Sequence, residues 1–210
     1  MGERVNSHSY YARAMSEKQP LTISREEVNA LPIRRYEGEV RVVSAEADIA
    51  PALKDILGDT VVGFDTETRP AFRPGESYPP SLAQVATARA VYLFQVRHRE
   101  VAQAVAEVLA NPHVVKAGVG LADDLRGLKK LIQFTEKALV DLGTVAMRNG
   151  LKQTGVRNLT ALFLGFRIPK GTKTSNWARP RLGAQQITYA ATDAWACREL
   201  HVRFSTLGLL

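Results

Sequence analysis

The stretch Val61–Thr68, with the sequence VVGFDTET, has the pattern of a buried strand but carries two acids near its end. Side chains alternate between the faces of a strand, so Asp65 and Glu67 project from one side and Thr66 from the other. A buried carboxylate without a partner is costly, so two acids on one site predict a partner such as a metal cation. The alternative is that Glu67 lies at a fraying strand end and Asp65 pairs with an arginine such as Arg69.

The length and composition predict one domain with a short arm. The chain has 210 residues, of which 45% are hydrophobic, which is enough for one sizeable core and too little for a second full domain. Residues 1–36 are polar and aperiodic and contain two prolines, so we expect a partly disordered N-terminal arm. Residues 37–210 are predicted to form the domain.

Charge and cysteine usage limit the partners and the compartment. The formal net charge of +7 favours a polyanionic partner, with nucleic acid as the leading candidate. The single cysteine, Cys197, rules out an internal disulfide and a cysteine-rich zinc site, which fits a reducing compartment. Because no membrane-length apolar run or secretory signal is visible, we expect a cytoplasmic protein without a membrane partner. No obligate protein partner is evident.

The order of patterns along the chain predicts an α/β domain with a mixed sheet. The stretches EVRVVSA, LAQVAT and AVYLFQV are typical of strands, whereas IAPALKDIL and VAQAVAEVLAN are typical of helices. The stretch LVDLGTVA fits either. Residues 68–81, TRPAFRPGESYPPS, form a long proline-rich loop beside the two acids, which predicts a lid or a substrate guide.

A second acid pair lies in LADDLRGLKKLI, where the apolar spacing predicts a helix. Asp124 lies at the edge of the apolar stripe and near the helix N-terminus, where the macrodipole stabilises a carboxylate. Asp123 lies nearly opposite that stripe and is expected to face water. Asp124 is therefore the candidate site residue, and the alternative is that it supplies helix N-terminal charge alone.

A tyrosine and an aspartate stand four residues apart in ITYAATDAWACREL. This spacing places Tyr189 and Asp193 on one helix face, one turn apart. The surrounding alanines permit close approach to a neighbouring element. The alternative is a buried tyrosine whose hydroxyl only satisfies the aspartate.

Together the three places supply four carboxylates and one phenol. Hard oxygen ligands suit Mg²⁺ or Mn²⁺, and no cysteine or histidine cluster competes for a softer metal. Two such ions can clamp the attacking and leaving oxygens of a phosphodiester, and a basic surface would hold the polyanion.

The motifs FDTET, AGVGLADDL and SNWARPRLGAQQITYAATDA resemble, in this order, the three motifs of the DEDD superfamily of 3′–5′ exonucleases. The tyrosine four residues before the last aspartate is typical of the DEDDy branch. The motifs are most similar to those of the exonuclease domain of the Werner syndrome protein, and more distantly to ribonuclease D. The resemblance implies a ribonuclease-H-like (DnaQ-like exonuclease) fold with a mixed five-stranded sheet flanked by helices. It also implies phosphodiester hydrolysis at single-stranded or frayed 3′ ends of DNA or RNA, releasing nucleoside 5′-monophosphates.

The resemblance assigns roles to individual residues. Asp65, Glu67 and Asp193 match the ligands of a first Mg²⁺ or Mn²⁺ ion, and Asp65 matches the ligand that bridges to a second. Asp124 matches the remaining aspartate, which holds the second ion directly or through water. Tyr189 matches the tyrosine that orients the attacking water.

Further candidates lie in the polar loop PKGTKTSNWARPRLG. Its cations could contact backbone phosphates while an aromatic ring stacks on a base, and the alternative for the tryptophan is core packing. The predicted nucleic-acid contacts are Lys170, Lys173, Trp177, Arg179 and Arg181. Two rival functions stay open at this point: an RNA-specific processing enzyme like ribonuclease D, and a catalytically silent nucleic-acid-binding scaffold.

Overall fold

The computed structural model describes residues 22–170 and 175–210. Within these ranges the strands of one sheet are β1 (Glu39–Val43), β2 (Val61–Thr68), β3 (Pro80–Ala86), β4 (Ala90–Phe94), β5 (Val115–Gly118) and β6 (Leu139–Asp141). The helices are α1 (Arg25–Ala30), α2 (Glu46–Leu57), α3 (Arg99–Ala110), α4 (Leu121–Leu128), α5 (Leu142–Arg148), α6 (Val156–Leu164) and α7 (Ala184–Thr206). The sheet order is β1-β4-β3-β2-β5-β6, so the acid-bearing strand β2 lies inside the sheet.

The sheet is mixed, as the sequence predicted. Strand β3 runs antiparallel to β2 and β4, whereas the pairs β1–β4, β2–β5 and β5–β6 are parallel. The expectation of five strands was wrong, because the described residues form a sheet of six. The ambiguous stretch LVDLGTVA contributes both a strand and a helix, β6 and α5. Three residues are too few for a period of two to be recognised, so the sequence pattern left β6 undecided.

The two faces of β2 pack against different helices. Val62 and Phe64 are fully buried and share one core cluster with Ile56 of α2 and Leu125 of α4. Because side chains alternate along a strand, Thr66 lies on this same face. The opposite face of the sheet packs on α7, where Leu82 of β3 joins a cluster of alanines. This two-sided burial explains why the start of β2 is apolar without interruption.

A glycine sets the distance between β2 and α7. A Cβ atom at Gly63 would lie 1.9 Å from the carbonyl oxygen of Ala194 and 2.7 Å from the backbone nitrogen of Arg198. Backbone atoms cannot give way at such distances, so only glycine allows α7 to lie this close to the strand. Gly63 thereby lets side chains of α7 reach the end of β2.

Part of the predicted N-terminal arm is packed against the domain. Ile23 and Val28 are buried in the cluster formed with α5, α6 and α7. The side-chain amide of Gln153 accepts from the Ile23 backbone nitrogen at 2.8 Å and donates to its carbonyl at 3.0 Å. The end of the predicted arm thus contributes two buried apolar side chains to the core of the domain. Residues 1–21 lie outside the described residues, and the domain boundary at residue 36 stays a prediction.

The longest of these helices is α7, with 23 residues. Alanines, Cys197 and Leu200 are among the residues on its buried side. The same helix carries Asp193, Arg198 and Glu199, which interrupt its apolar character. In the described part of the chain, no helix combines the length and the apolar character needed to cross a membrane.

Candidate active site

Strand β2 directs two acids toward α7. Asp65 and Glu67 lie two and four residues after Gly63, so they project from the same face of β2. A Cβ atom at Gly63 would point at the backbone of α7, and the two acids therefore face α7 as well. Asp193 of α7 is 5% exposed and meets them there. One carboxylate oxygen of each of the three residues lies within 4.8 Å of the other two. The structure thus brings together acids from a strand and from a helix that are far apart in the sequence.

Tyr189 and Asp193 lie one turn apart on α7 and share a side-chain hydrogen bond. The pair that the structural alternative predicted is therefore present. It does not satisfy the whole carboxylate, because Asp193 Oδ1 is buried and has no hydrogen-bond partner among residues 22–170 and 175–210. A buried carboxylate oxygen without a partner is costly, so this atom is poised to accept a ligand from outside the chain.

Asp124 approaches the strand end from the other face of the sheet. The hydroxyl of Thr66 donates to Asp124 Oδ1 at 2.5 Å. Asp123 points away, with its side chain 84% exposed and paired with Arg126 at 2.6 Å. Asp123 faces solvent and Asp124 faces the end of β2, as the helical spacing predicted. Asp124 is not one of the three acids within 4.8 Å of one another, and Thr66 is the contact that ties it to β2.

The start of α4 is held by a residue that sequence analysis missed. Asp141 Oδ2 accepts from the backbone nitrogen of Leu121, the first residue of α4, at 2.9 Å. Its Oδ1 accepts from the Thr144 nitrogen at 3.0 Å and caps α5. Gly120 has a φ of 75°, a conformation that favours glycine. An aspartate directly before a helix is a cap signal, but only the fold shows that Asp141 also positions the helix that carries Asp124.

Burial raises the pKa values of the site acids, and for Asp65 and Glu67 the charges of the neighbouring acids add to the effect. Burial raises the pKa of Glu67 to about 8, and the charges of Asp193 and Asp124 add to the effect. The pKa of Asp65 lies well above its usual range, first through burial and then through repulsion from Asp193, Asp124 and Glu67. Burial raises the pKa of Asp124 to about 6 against the opposing hydrogen bond from Thr66. A cation at this position would remove the repulsion and restore the charged forms.

Tyr189 and Asp193 respond to the same surroundings. Burial raises the pKa of Asp193 to about 6, although the hydrogen bond with Tyr189 and the charge of Arg157 oppose the shift. The pKa of Tyr189 is raised by burial, by the charge of Asp193 and by the hydrogen bond with it. The phenol therefore stays protonated at neutral pH and acts as a hydrogen-bond donor.

The residues fit a divalent cation. The site offers three converging carboxylates, and within the described ranges no lysine or arginine forms an ion pair with any of them. The predicted alternative, a pair between Asp65 and Arg69, is not seen, because the Arg69 guanidinium lies over the Tyr78 ring at 3.8 Å. Carboxylate oxygens in this number are hard ligands of the kind that Mg²⁺ and Mn²⁺ prefer.

Comparison with known proteins identifies the family. A family model described as 3′–5′ exonuclease matches residues 40–207. The chain belongs to the 3′–5′ exonuclease family. The mouse (Mus musculus) bifunctional 3′–5′ exonuclease/ATP-dependent helicase WRN is 32% identical over 193 residues, 85% of this chain and 13% of that protein. The human exonuclease mut-7 homolog is 28% identical over 169 residues, 67% of this chain and 19% of that protein.

The fold of the exonuclease domain agrees with a solved structure. The Aedes aegypti Nibbler EXO domain superposes with a TM-score of 0.72 at 24% identity, covering 85% of this chain and 93% of that one. The resemblance to the exonuclease family and the ribonuclease-H-like fold class are therefore confirmed. The chain spans less than a fifth of the length of the WRN and mut-7 relatives. The comparison therefore covers one part of each of these proteins.

The predicted nucleic-acid contacts of the exonuclease domain divide into three groups. Lys170, Trp177 and Arg179 line, together with Tyr189, a cavity of about 800 Å³. Arg181 is exposed and is not among the lining residues. Lys173 lies outside the described residues. Trp177 is 5% exposed and packs in the α7 cluster, as the core-packing alternative predicted, with its ring 6.1 Å from that of Tyr189.

A buried glutamine beside the acids was also missed by sequence analysis. Gln84 of β3 pairs in register with Asp65 and is fully buried. Neither side-chain amide atom has a hydrogen-bond partner among the described residues. Directly paired residues on neighbouring strands share a face, so Gln84 lies on the α7 side with Asp65 and Glu67. The one signal in the sequence for a polar residue at this site was a single amide side chain within the otherwise apolar stretch LAQVA.

Proposed function

We propose that the protein is a metal-dependent 3′–5′ exonuclease that hydrolyses phosphodiester bonds at single-stranded or frayed 3′ ends of DNA or RNA. Nucleoside 5′-monophosphates would be the products. One observation carries the proposal: three carboxylates converge within 4.8 Å, and no lysine or arginine in residues 22–170 and 175–210 forms an ion pair with them. Membership of the exonuclease family supports the same class of reaction.

Four acids are proposed to hold two Mg²⁺ or Mn²⁺ ions. Asp65, Glu67 and Asp193 would hold the first, since their oxygens already converge. Asp124 would hold the second together with Asp65, because its charge acts on Asp65 and it lies against the neighbouring Thr66. When bound, such ions acidify the attacking water and neutralise charge on the phosphodiester.

Tyr189 is proposed to position the attacking water. Its pKa is raised, first by burial, so the hydroxyl keeps its proton and is a poor general base. A protonated phenol held by Asp193 can orient a water molecule through its hydroxyl oxygen. This role needs a fixed ring, and the neighbouring Trp177 ring at 6.1 Å helps to fix it.

The function can be tested with single-stranded DNA and RNA oligomers labelled at the 3′ or the 5′ end. The oligomers are incubated with Mg²⁺, with Mn²⁺ or with EDTA. Asp193→Asn is the site variant. Asp123→Asn is the matched control, because Asp123 is an exposed aspartate next to the proposed ligand Asp124.

The proposal expects stepwise release of mononucleotides from the 3′ end by the wild type and by Asp123→Asn. Release should stop in EDTA and in Asp193→Asn. Cleavage inside the strand or from the 5′ end would contradict it. Binding without cleavage in every metal would favour the silent scaffold, and release from RNA alone would favour the RNA-specific enzyme.

A further inference from the structure

A second cavity, distinct from the acids, lies at the same end of the sheet. It has a volume of about 170 Å³ and is bordered by the start of β3, the segment after β4 and the loop before α7. Pro80 at its edge pairs in register with Thr68, the residue after Glu67. We call it the arginine pocket, defined by Arg69, Tyr78, Arg97, Leu131, Trp177 and Arg179.

The positive charge of the arginine pocket has no counter-charge in the described chain. No acid lines the cavity, and none of its three arginines takes part in an ion pair among residues 22–170 and 175–210. Neutral groups hold two of the three guanidinium groups instead. Arg69 lies over the Tyr78 ring at 3.8 Å, and Arg97 Nη2 donates to Gln95 Oε1 at 3.4 Å. Uncompensated guanidinium groups on one cavity are suited to an anion such as a phosphate.

The buried side chain of Gln95 connects the segments that carry Arg97 and Arg179. Gln95 is 3% exposed, and its Nε2 donates to the carbonyl of Pro180 at 3.1 Å. This bond connects the segment after β4 to the loop before α7. The same glutamine therefore holds Arg97 and fixes the loop that carries Trp177 and Arg179.

The rest of the wall is apolar and contains flat rings. Tyr78, Trp177 and Leu131 face the same space as the arginines, and Leu131 is 39% exposed. Trp177 is 5% exposed and packs in the core, so the half-buried Tyr78 is the ring that can stack on a base while the cations bind the phosphate. The volume is below that of a pocket for a complete small ligand, so it admits one nucleotide unit at most. A base can enter such a space only from an unpaired strand.

We propose that the arginine pocket binds one nucleotide of the unpaired substrate strand, on the 5′ side of the bond that is cut. This inference rests on the proposed function, since a strand with its 3′ end at the acids has all its other nucleotides on the 5′ side. Trp177 lines the pocket and its ring lies 6.1 Å from that of Tyr189, so the pocket adjoins the proposed active site. The pocket thus selects single strands above a minimum length.

The test measures kcat and KM on single-stranded DNA and RNA of two to eight nucleotides with Mn²⁺. The double variant Arg69→Gln/Arg97→Gln removes two charges from the pocket. The control Arg148→Gln removes the same kind of charge from an exposed position in the last turn of α5. Arg97→Lys keeps the charge without the planar fork. Thermal unfolding of each variant verifies that it is folded.

The wild type should show a rise in kcat/KM at the length that fills the pocket. The double variant should lose this rise, with a KM on eight nucleotides about tenfold higher or more, a kcat within about twofold of the wild type, and a smaller loss on the dinucleotide. Arg97→Lys should fall between them. An unchanged length profile in the double variant, or an equal loss on the dinucleotide, would overturn the proposal.

Binding in EDTA separates this proposal from the proposed function. Fluorescence anisotropy of a labelled eight-nucleotide strand gives the salt dependence of Kd without cleavage. The double variant should show a smaller slope of log Kd against log salt, by about 0.7 for each phosphate that the removed arginines neutralise in the wild type. If the wild type cleaves nothing at any length, the function fails while this measurement still decides on the pocket. An unchanged slope and affinity would refute the pocket.

Discussion

Asp55 and Asp65 are two partly buried carboxylates at opposite ends of the sheet, and their surroundings are opposite in charge. Asp55 of α2 accepts from Arg89 Nε and, at 2.8 Å, from the Thr87 hydroxyl. Burial works against its ionisation, yet these hydrogen bonds and the charge of Arg89 lower its pKa below the ordinary value. Asp65 is surrounded by other acids, and its pKa lies well above the ordinary value.

The charge around each carboxylate distinguishes one that stabilises the fold from one that is suited to bind a cation. At Asp55 the chain supplies the counter-charge itself, so the group stabilises the fold without help. At Asp65 the charged groups of the described residues that act on it are all acids, so the charged site needs a cation from outside. Four predictions follow the contrast, beginning with the largest expected effect.

Catalysis should depend on Asp65 and not on Asp55. We expect Asp65→Asn to lower kcat by about 10³-fold or more, which corresponds to about 4 kcal/mol of transition-state stabilisation. Asp55→Asn should stay within about threefold of the wild type. Steady-state release of mononucleotides from a single strand measures both. Comparable losses in the two variants would break the contrast.

Metal should stabilise the fold through Asp65 and not through Asp55. Binding to the folded state raises the free energy of unfolding by about 2.7 kcal/mol when the metal concentration is 100 times Kd. Differential scanning fluorimetry with Mn²⁺ should show a higher Tm for the wild type and for Asp55→Asn. Asp65→Asn should show little or no shift. A full shift in Asp65→Asn would place the ion elsewhere.

Without metal, the two kinds of acid should affect stability with opposite sign. Asp55→Ala removes hydrogen bonds to charged groups and leaves Arg89 unpaired, so a loss of about 1–3 kcal/mol is expected. Asp193→Asn removes a buried charge whose pKa is raised, and each unit of such a shift corresponds to about 1.4 kcal/mol. A gain of about 1–2 kcal/mol is expected there. Denaturant titration in EDTA measures both, and destabilisation of similar size in each variant would contradict the contrast.

The pH dependence in EDTA should separate Glu67 from Asp55. The pKa of Glu67 is about 8 in the folded protein and near 4.5 when unfolded, so between these values the folded state holds a proton that the unfolded chain has released. The wild type should therefore lose stability relative to Glu67→Gln as the pH rises from 7 to 8, by at most about 1.4 kcal/mol.

Asp55 serves as the opposite control, because its pKa is lowered below 3.8. Its contribution is fully present above 3.8 and is lost as the pH falls below 3.8 and through the lowered pKa of the folded state. The difference between the wild type and Asp55→Asn should thus be flat between pH 7 and 8. A slope of the same sign and size as that of Glu67→Gln would show that the effect is not specific to the site.

The local patterns predicted the arrangement on each element. The alternation of β2 predicted that Asp65 and Glu67 share a face, and the helical spacing predicted that Tyr189 and Asp193 share another. The same spacing distinguished Asp124 from the exposed Asp123. These predictions succeed because periods of two and 3.6 residues are properties of the backbone itself.

The sequence patterns did not predict the contacts between different elements. The hydrogen bond from Thr66 to Asp124 joins a strand to a helix, and Asp141 holds α4 from the end of β6. Gln84 becomes a neighbour of Asp65 only through the register of β2 and β3. Each depends on how two distant segments are placed side by side, and no local pattern encodes that placement.

The sequence by itself determined which residues could form a metal site and which family the chain resembles, because motif chemistry and periodicity are local. The tertiary structure decided what surrounds each acid. Close packing of α7 at Gly63 brings Asp193 to Asp65, and the position of Arg69 over Tyr78 keeps a cation away from them. Electrostatic energy depends on distance through space, so the acids acquired their raised pKa values only when the chain folded.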